Sequence, residues 1–425
     1  SIKTVFSNLK LRLAYGTVGN ANIGQYKYGS AIQPAATGLG TAFLFYNLSN
    51  PDLTWETAIQ QNIGLDFGVL NGRIDASVDV YKKTSKNFLF QQPLPGFLVG
   101  GQAEYSTNSV VQPPFVNAGE IQNTGVEFTI NSHNIVKKDF TWTTSVVFSH
   151  YSNKVISLNG FPALNGIVST GFGPQIYATH TAPGQPIGEF YGYKTAGIIK
   201  TQDQLNDLAA HPQNVLGQPE QISSDRSVGN AIYLGDILYA GSDGKGGPNQ
   251  QYNLGSPNPD FTYSIGNNFT YKDFDLSIFL VGSQGGKILN AVSFQTQGMY
   301  GLYMNQLAKV GNYWTPANPN SNIPTPRASF GNNNLVMSDR FLEDASYLRI
   351  QNVRLGYSLP SNIARAVKMS RLKVYVSGQN LFVFTKYSGL DPEVGSLNQN
   401  PILQNVDYGR YPTPRTITFG LNAEF

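Results

Sequence analysis

The first candidates for chemistry are carboxylates. Asp75 and Asp79 lie on one face of an alternating segment, where a general acid and a general base would stand. The competing reading is a pair of carboxylates turned toward a water-filled lumen. His133, His150, His180 and His211 are dispersed, with no H-E-x-x-H and no i,i+4 pair, so no metal site is expected. Gly244-Lys245 has the Gly-Lys of a phosphate-cradling loop, but Tyr239 stands where the upstream glycine belongs and Gly246 where Ser or Thr must be. No G-x-S-x-G elbow occurs. The absence of cysteine excludes disulfides, zinc–thiolate sites and thiol nucleophiles. These residues predict no enzyme, no cofactor and no metal.

What remains is binding chemistry. Tyr26, Tyr28, Tyr105, Tyr300, Tyr303 and Trp314 fall in Asn-rich connecting segments. Sugar rings stack on Tyr and Trp, and hydroxyls pair with amides. These six are the candidate substrate-binding residues, with loop packing as the competing role of each.

The elements that carry those loops are strands. Charged residues make up 13% of the chain, against about 25% in an average soluble protein. Aromatics reach 12%, from 25 Phe, 24 Tyr and 3 Trp, beside 44 Gly and 24 Pro. Mean hydropathy is nevertheless −0.22, and no run approaches the roughly 18 apolar residues of a membrane helix. A β-protein with a lipid-facing wall fits these values better than a water-facing one, which needs more Lys and Glu. A net charge of +3 without a Lys/Arg run predicts no nucleic-acid partner. The first residues are not a signal peptide, so the chain is expected to be mature or to lack its front.

Period-two alternation recurs throughout. It is seen in Leu9 to Tyr15, in Ile63 to Val69 with Ile74 to Val80 across Asn71-Gly72, and in Val126 to Ile130 with Phe140 to Phe148. It returns in Phe261 to Tyr271 with Phe274 to Leu280 across Lys272-Asp273, in Leu348 to Leu359, in Leu372 to Val376 and in Thr416 to Phe425. A change of phase near Gln351-Asn352 predicts a β-bulge. Short links (Asn71-Gly72, 131–139, 272–273, 360–370) alternate with long ones (18–56, 88–117, 151–257, 285–340, 386–412). That is the outer-membrane pattern, with the short turns periplasmic. It predicts about ten strands in one domain over 1–425, with 151–257 as a long extracellular insertion. Within the insertion 186–193 and Ala231 to Tyr239 read as strands. Thr201 to Ala210 reads as a helix capped by Thr201 and Gln204. Phe140, Trp142, Tyr271, Phe274, Tyr357 and Phe425 are candidates for an interfacial girdle.

Several segments resemble the SusC/RagA family of TonB-dependent outer-membrane transporters. They are Asn50-Pro51-Asp52-Leu53-Thr54-Trp55-Glu56 with Asn62 to Gly68, Asn117 to Glu127, Pro186 to Tyr193, Asn258-Pro259-Asp260-Phe261-Thr262-Tyr263, Asp339-Arg340-Phe341 with Tyr347 to Ile350, Ser377 to Phe382 and Gly389-Leu390-Asp391-Pro392-Glu393. The resemblance implies an all-β, transmembrane, antiparallel up-and-down β-barrel, of which this chain is the C-terminal portion of a 22-stranded whole without its plug. It implies outer-membrane import of a glycan oligosaccharide or oligopeptide, with a SusD-like lipoprotein lid outside and the TonB complex acting through the plug. Outer-membrane lipid and the barrel assembly machinery are further implied partners, with the long loops extracellular and the C-terminus periplasmic. The alternative is a passive porin, adhesin anchor or structural barrel. The family's Asp/Asn-rich calcium loop falls at Tyr239 to Gln250, where only Asp243 supplies a carboxylate, so no calcium is expected.

The family's last strand and terminal aromatic resemble the signal read by the assembly machinery, which assigns that role to Phe425. Deleting Phe425, or replacing it with a charged residue, is expected to lower the amount of folded barrel in outer-membrane fractions. Unchanged levels would contradict the assignment.

Overall fold

A computed structural model of the chain describes residues 5–20, 26–91, 114–117, 119–169, 175–210, 221–222, 231–240, 251–299, 304–327 and 333–425. Ten long strands form one sheet: β1 (Phe6–Asn20), β2 (Glu56–Val69), β3 (Ile74–Lys86), β4 (Glu120–Val136), β5 (Phe140–Ser157), β6 (Phe261–Tyr271), β7 (Phe274–Gln284), β8 (Tyr347–Ser358), β9 (Arg371–Thr385) and β10 (Thr416–Glu424). Each pairs antiparallel with the next in chain order, so the wall is all-β and up-and-down.

Directly opposed residues in an antiparallel ladder share a face, so the register shows whether the alternation is continuous. One row runs Leu11, Leu65, Val78, Phe128, Phe148, Tyr263. The next runs Phe67, Ala76, Ile130, Val146, Ile265, Leu280, Ile350, Phe382. The apolar face thus crosses the wall, and it is not packed: Leu11, Leu13, Ile63, Val80, Leu355, Ile417 and Phe419 are all exposed, Leu13 at 72%. Nearly all of the buried hydrophobics lie instead in the long connections. The largest cluster joins Val168, Ile176, Phe190, Leu289, Phe294, Phe341, Ile402 and Val406. An apolar outer face that is left exposed along the wall among the described residues is the pattern of a lipid-facing barrel. No helix among the described residues is long and apolar enough to cross a membrane, which says nothing of strands.

The short turns share one rim. Asn71 and Gly72 both have positive φ, as a primed hairpin turn requires, and Arg73 N–H closes the turn on the Leu70 carbonyl at 3.3 Å. The aromatic row there is continuous across paired positions: Phe140, Tyr271, Phe274, Tyr357. Trp142 stacks on Phe269 at 5.6 Å, and Phe274 lies 4.6 Å from Tyr357. The expected bulge falls at Gln351, between Ile350 and Asn352. Gln204 N–H donates to Thr201 Oγ1, and Thr201 N–H to Gln204 Oε1, at 3.2 and 3.1 Å. That reciprocal cap starts the helix Gln202–Ala210.

Several features differ from the sequence expectation: β1 runs to Asn20, into the expected long link 18–56. β4 runs to Val136, past a register shift near His133, because Ile135 and Val136 still pair with Trp142 and Thr141. β5 runs to Ser157 and takes the first residues of the expected insertion into the wall. The link 360–370 carries a short helix, Ser361–Ala366.

The polar face differs in one respect. Asp75 and Asp79 lie four residues apart on one strand, about 13 Å, too far to share a proton. Asp79 is not merely wetted by lumen water. Arg12 bridges three strands, with Nη2 2.8 Å from both Asp66 Oδ1 and Asp79 Oδ2 and 3.0 Å from Ser77 Oγ. Alternation alone does not reveal which cross-strand charges meet.

Val78 lies mid-strand on the outer face, so Val78→Arg is expected to destabilise the barrel by about 2–4 kcal/mol at the bilayer midplane. Asp79→Asn removes one leg of the Arg12 bridge and should lower the unfolding midpoint by less. Unfolding of both variants in lipid vesicles tests the assignment, and equal effects would overturn it.

Candidate functional site

On the polar face, at the rim of the long loops, the wall and the loop core leave a polar cleft. The register places Tyr81, Gly125 and Tyr151 side by side on β3, β4 and β5. Gly125 is needed there, because a Cβ would fall 2.5 Å from Tyr81 Oη and 2.8 Å from the His150 carbonyl. Tyr151 Oη donates to Asn258 Oδ1 at 3.2 Å. One strand position further out, Asn153 Nδ2 donates to Asn123 Oδ1 at 2.7 Å, and Asn153 Oδ1 accepts Ile187 N–H at 2.8 Å.

Two adjoining cavities meet at Tyr151, Asn258 and Gln404. One, of about 470 Å³, is lined among others by Tyr347, Glu393, Asn405 and Arg410. The other, of about 370 Å³, is lined among others by Glu56, Asn123, Asn153 and Ile187. The lining offers amides, two carboxylates, a guanidinium and tyrosine rings, groups that can pair with a polar ligand. Among the described residues no cluster of His, Asp and Glu can hold a metal.

The strap 386–412 forms one wall of the cleft and is fastened by buried charge. Arg349, 1% exposed, places Nη2 2.7 Å from Asp391 Oδ1 and 2.9 Å from Glu393 Oε2. Tyr347 Oη donates to Glu393 Oε1 at 2.7 Å. Burial alone would raise the Asp391 carboxyl. The N–H groups of Glu393 and Thr413, with Arg349, outweigh it and hold the group below the usual carboxylate range. Glu343 accepts from Ser388 Oγ at 2.7 Å, and Val406–Asp407 pairs parallel to Lys287–Asn290. A second buried pair, Arg327 with Asp236, joins two loop segments, with Asn334 Nδ2 donating to Asp236 Oδ1 at 2.9 Å.

The six residues singled out from sequence are dispersed. Tyr26 and Tyr28 come together with Trp55 around a separate depression of about 620 Å³, which shares Leu89 with the lining of the cleft. Trp314 is 4% exposed and packs with Tyr193, Ile198, Ile237 and Tyr239, so it is a packing residue and offers no ring to a ligand. Tyr105, Tyr300 and Tyr303 lie outside the described residues, as do His211 and the Gly241 to Gln250 part of the calcium-loop position. Phe425 follows β10 and is 93% exposed. The cleft residues Tyr151, Asn258, Glu393, Gln404 and Arg410 were missed. Tyr151 carried a signal, its place in the polar phase of β5. Asn258 and Glu393 carried another, their place in the resembling segments Asn258-Pro259-Asp260 and Asp391-Pro392-Glu393.

Replacing Arg349 with Met leaves Asp391 buried without its partner, and is expected to cost about 3–5 kcal/mol, read as faster proteolysis of the strap and a lower unfolding midpoint. Because the folded-state carboxyl of Asp391 titrates below its unfolded value, its contribution is present at neutral pH. It is lost as pH falls below the ordinary value of about 3.9. Asp391→Asn should flatten that acid limb in a pH series of strap proteolysis.

The family model described as TonB dependent receptor-like, beta-barrel, matches residues 4–381. TonB-dependent receptor P3 of Formosa agariphila is 33% identical over 427 residues, covering 98% of this chain and 39% of that protein. TonB-dependent receptor SusC of Bacteroides thetaiotaomicron is 29% identical, covering 99% of this chain and 38% of its own length. The chain therefore spans about two fifths of the curated relatives it matches. The RagAB peptide transporter structure superposes with a TM-score of 0.75 at 24% identity, over 99% of this chain and 41% of that one. These relatives are receptors rather than enzymes. The continuous ten-stranded wall, its outward apolar face and the match over residues 4–381 agree: the chain belongs to the TonB-dependent receptor β-barrel family.

Proposed function

We propose that this chain is part of the wall and mouth of an outer-membrane importer that takes up a large polar nutrient, a glycan oligosaccharide or an oligopeptide. The observation that carries the reading is the cleft around Tyr151, Asn258, Gln404 and Glu393, on the polar face and at the rim of the long loops. Amides and carboxylates match the hydroxyls of a sugar or the backbone of a peptide, and tyrosine rings give either one a flat apolar surface. Membership of the TonB-dependent receptor family supports import, and RagAB, which shares the fold, is a peptide transporter. In this reading the long loops are extracellular and meet a SusD-like lipoprotein. The short turns and Phe425 face the periplasm, and TonB supplies the energy through the plug. Tyr26, Tyr28 and Trp55 then line a separate contact surface outside the cleft.

The test has two arms, both in the intact receptor. Binding is titrated with panels of oligosaccharides and oligopeptides, and Tyr151→Ala with Asn258→Ala is expected to weaken the bound class about tenfold, or roughly 1.4 kcal/mol. Uptake of that class is then measured with and without TonB. Uptake that persists without TonB would overturn active import in favour of a passive pore.

A further inference from the structure

The short-turn rim carries a charge pattern that the import reading does not use. Arg73, Lys137, Lys138, Lys272, Arg365 and Lys368 stand in or beside its four turns, and all six are exposed. Of the acidic residues in or beside those turns, Asp75, Asp139 and Asp273 are exposed. Glu424 faces Arg371 at 4.0 Å, and Asp275 is held by Lys373 on the inner face. The cations alternate in sequence with exposed apolar side chains: Leu70 before Arg73, Val136 before Lys137, Tyr271 and Phe274 around Lys272, Ile363 and Val367 around Arg365. Lys272 Nζ lies 5.5 Å from the Tyr271 ring centroid. The aromatic row Phe140, Tyr271, Phe274, Tyr357 runs immediately inside this band.

We propose that this rim docks anionic phospholipid headgroups, the lysines and arginines taking the phosphates while the interleaved apolar side chains enter the acyl boundary. The proposal rests on the membrane-spanning reading above. A juxtamembrane cation gains from a negative leaflet only within about a Debye length of the surface. Turns this short keep their charged side chains at headgroup height, directly beyond the interfacial aromatics. A soluble acidic partner would account for the cations but not for the exposed apolar residues between them, so the lipid surface is the better fit.

The experiment uses the full receptor in neutral phosphatidylcholine vesicles, with and without phosphatidylglycerol. Unfolding is read as loss of the heat-modifiable gel shift of a folded barrel. Phosphatidylglycerol is expected to raise the midpoint by several degrees. The gain should fade between about 0.1 and about 1 M salt, where the Debye length shortens from about 10 to about 3 Å. It should shrink by at least half in the fourfold variant Lys137→Gln, Lys138→Gln, Lys272→Gln, Lys368→Gln, and persist when the same four become Arg. Lys138→Gln and Lys368→Gln singly, each in an exposed turn, carry the test where the fourfold variant fails to fold. No gain in the wild type, an equal gain in the Gln variants, or the same gain from inorganic phosphate in neutral vesicles would each overturn the proposal. Absence of a heat-modifiable form in every lipid would instead overturn the barrel reading.

Discussion

Everything in this chain depends on one constraint of the lipid phase: a backbone N–H or C=O that faces hydrocarbon must find its partner in the protein, because no water is there to take it. A long antiparallel ladder meets that demand strand by strand. The ten wall strands meet it with few interruptions. β2 and β3 pair over thirteen consecutive positions, and β6 and β7 over eleven. The irregularities in the wall sit near strand ends or at bulges, at Phe6/Asn8, Glu120/Ile121, His133/Ile135, Phe279/Leu280 and Ile350/Asn352. Side-chain burial is not what holds this wall, since its apolar residues are exposed to whatever surrounds them.

The loops follow the opposite rule. They stand in water and must bury apolar surface to hold a shape. Their clusters are accordingly dense, with Phe294 stacked on Phe341 at 3.7 Å and Leu289, Phe190 and Val406 almost fully buried. Inside these cores sit the charges that the wall keeps on its wetted face. Arg349 with Asp391 and Arg327 with Asp236 are buried pairs. Such pairs are weak evidence for net stability, but breaking one partner is costly. They therefore fix which loop meets which strand more than they raise the total. The cleft inherits its shape from that choice, because Glu393 and Arg410 belong to the strap that Arg349 fastens.

How legible this was in the sequence follows from the same division. Strand phase obeys a local period of two, so Leu9 to Tyr15, Ile74 to Val80 and Thr416 to Phe425 read correctly from residue types alone. The Asn71-Gly72 turn and the Thr201/Gln204 cap are also local, since a positive φ or a reciprocal side-chain bond spans only a few residues. The cleft is not local. Tyr151 meets Asn258 across 107 positions, and Arg12 meets Asp79 across 67. Only the register, a property of pairs of strands, brings them together. Aromatic content was a poor guide to the residues that line the cleft for a related reason. A Trp in a water-facing loop is at once a stacking surface and the best core residue available, and at Trp314 the core won.

β8 shows how the two regimes join in one strand. Its first residues, Tyr347 and Arg349, face the loop core and the strap through Glu393 and Asp391. Its later residues, Val353, Leu355 and Tyr357, continue the outward apolar band opposite Ile278, Leu276 and Phe274. Strict alternation would put Ile350 and Val353 on opposite faces, because they are an odd number of residues apart. The extra residue at Gln351 restores both to the outer face, and a bulge also bends and further twists its strand. The bend falls where the wall stops being a lipid-facing ladder and becomes a support for the cleft. The phase slip is therefore the joint at which one strand serves both solvents, and it can be seen in the sequence because it breaks the pattern that the bilayer imposes everywhere else.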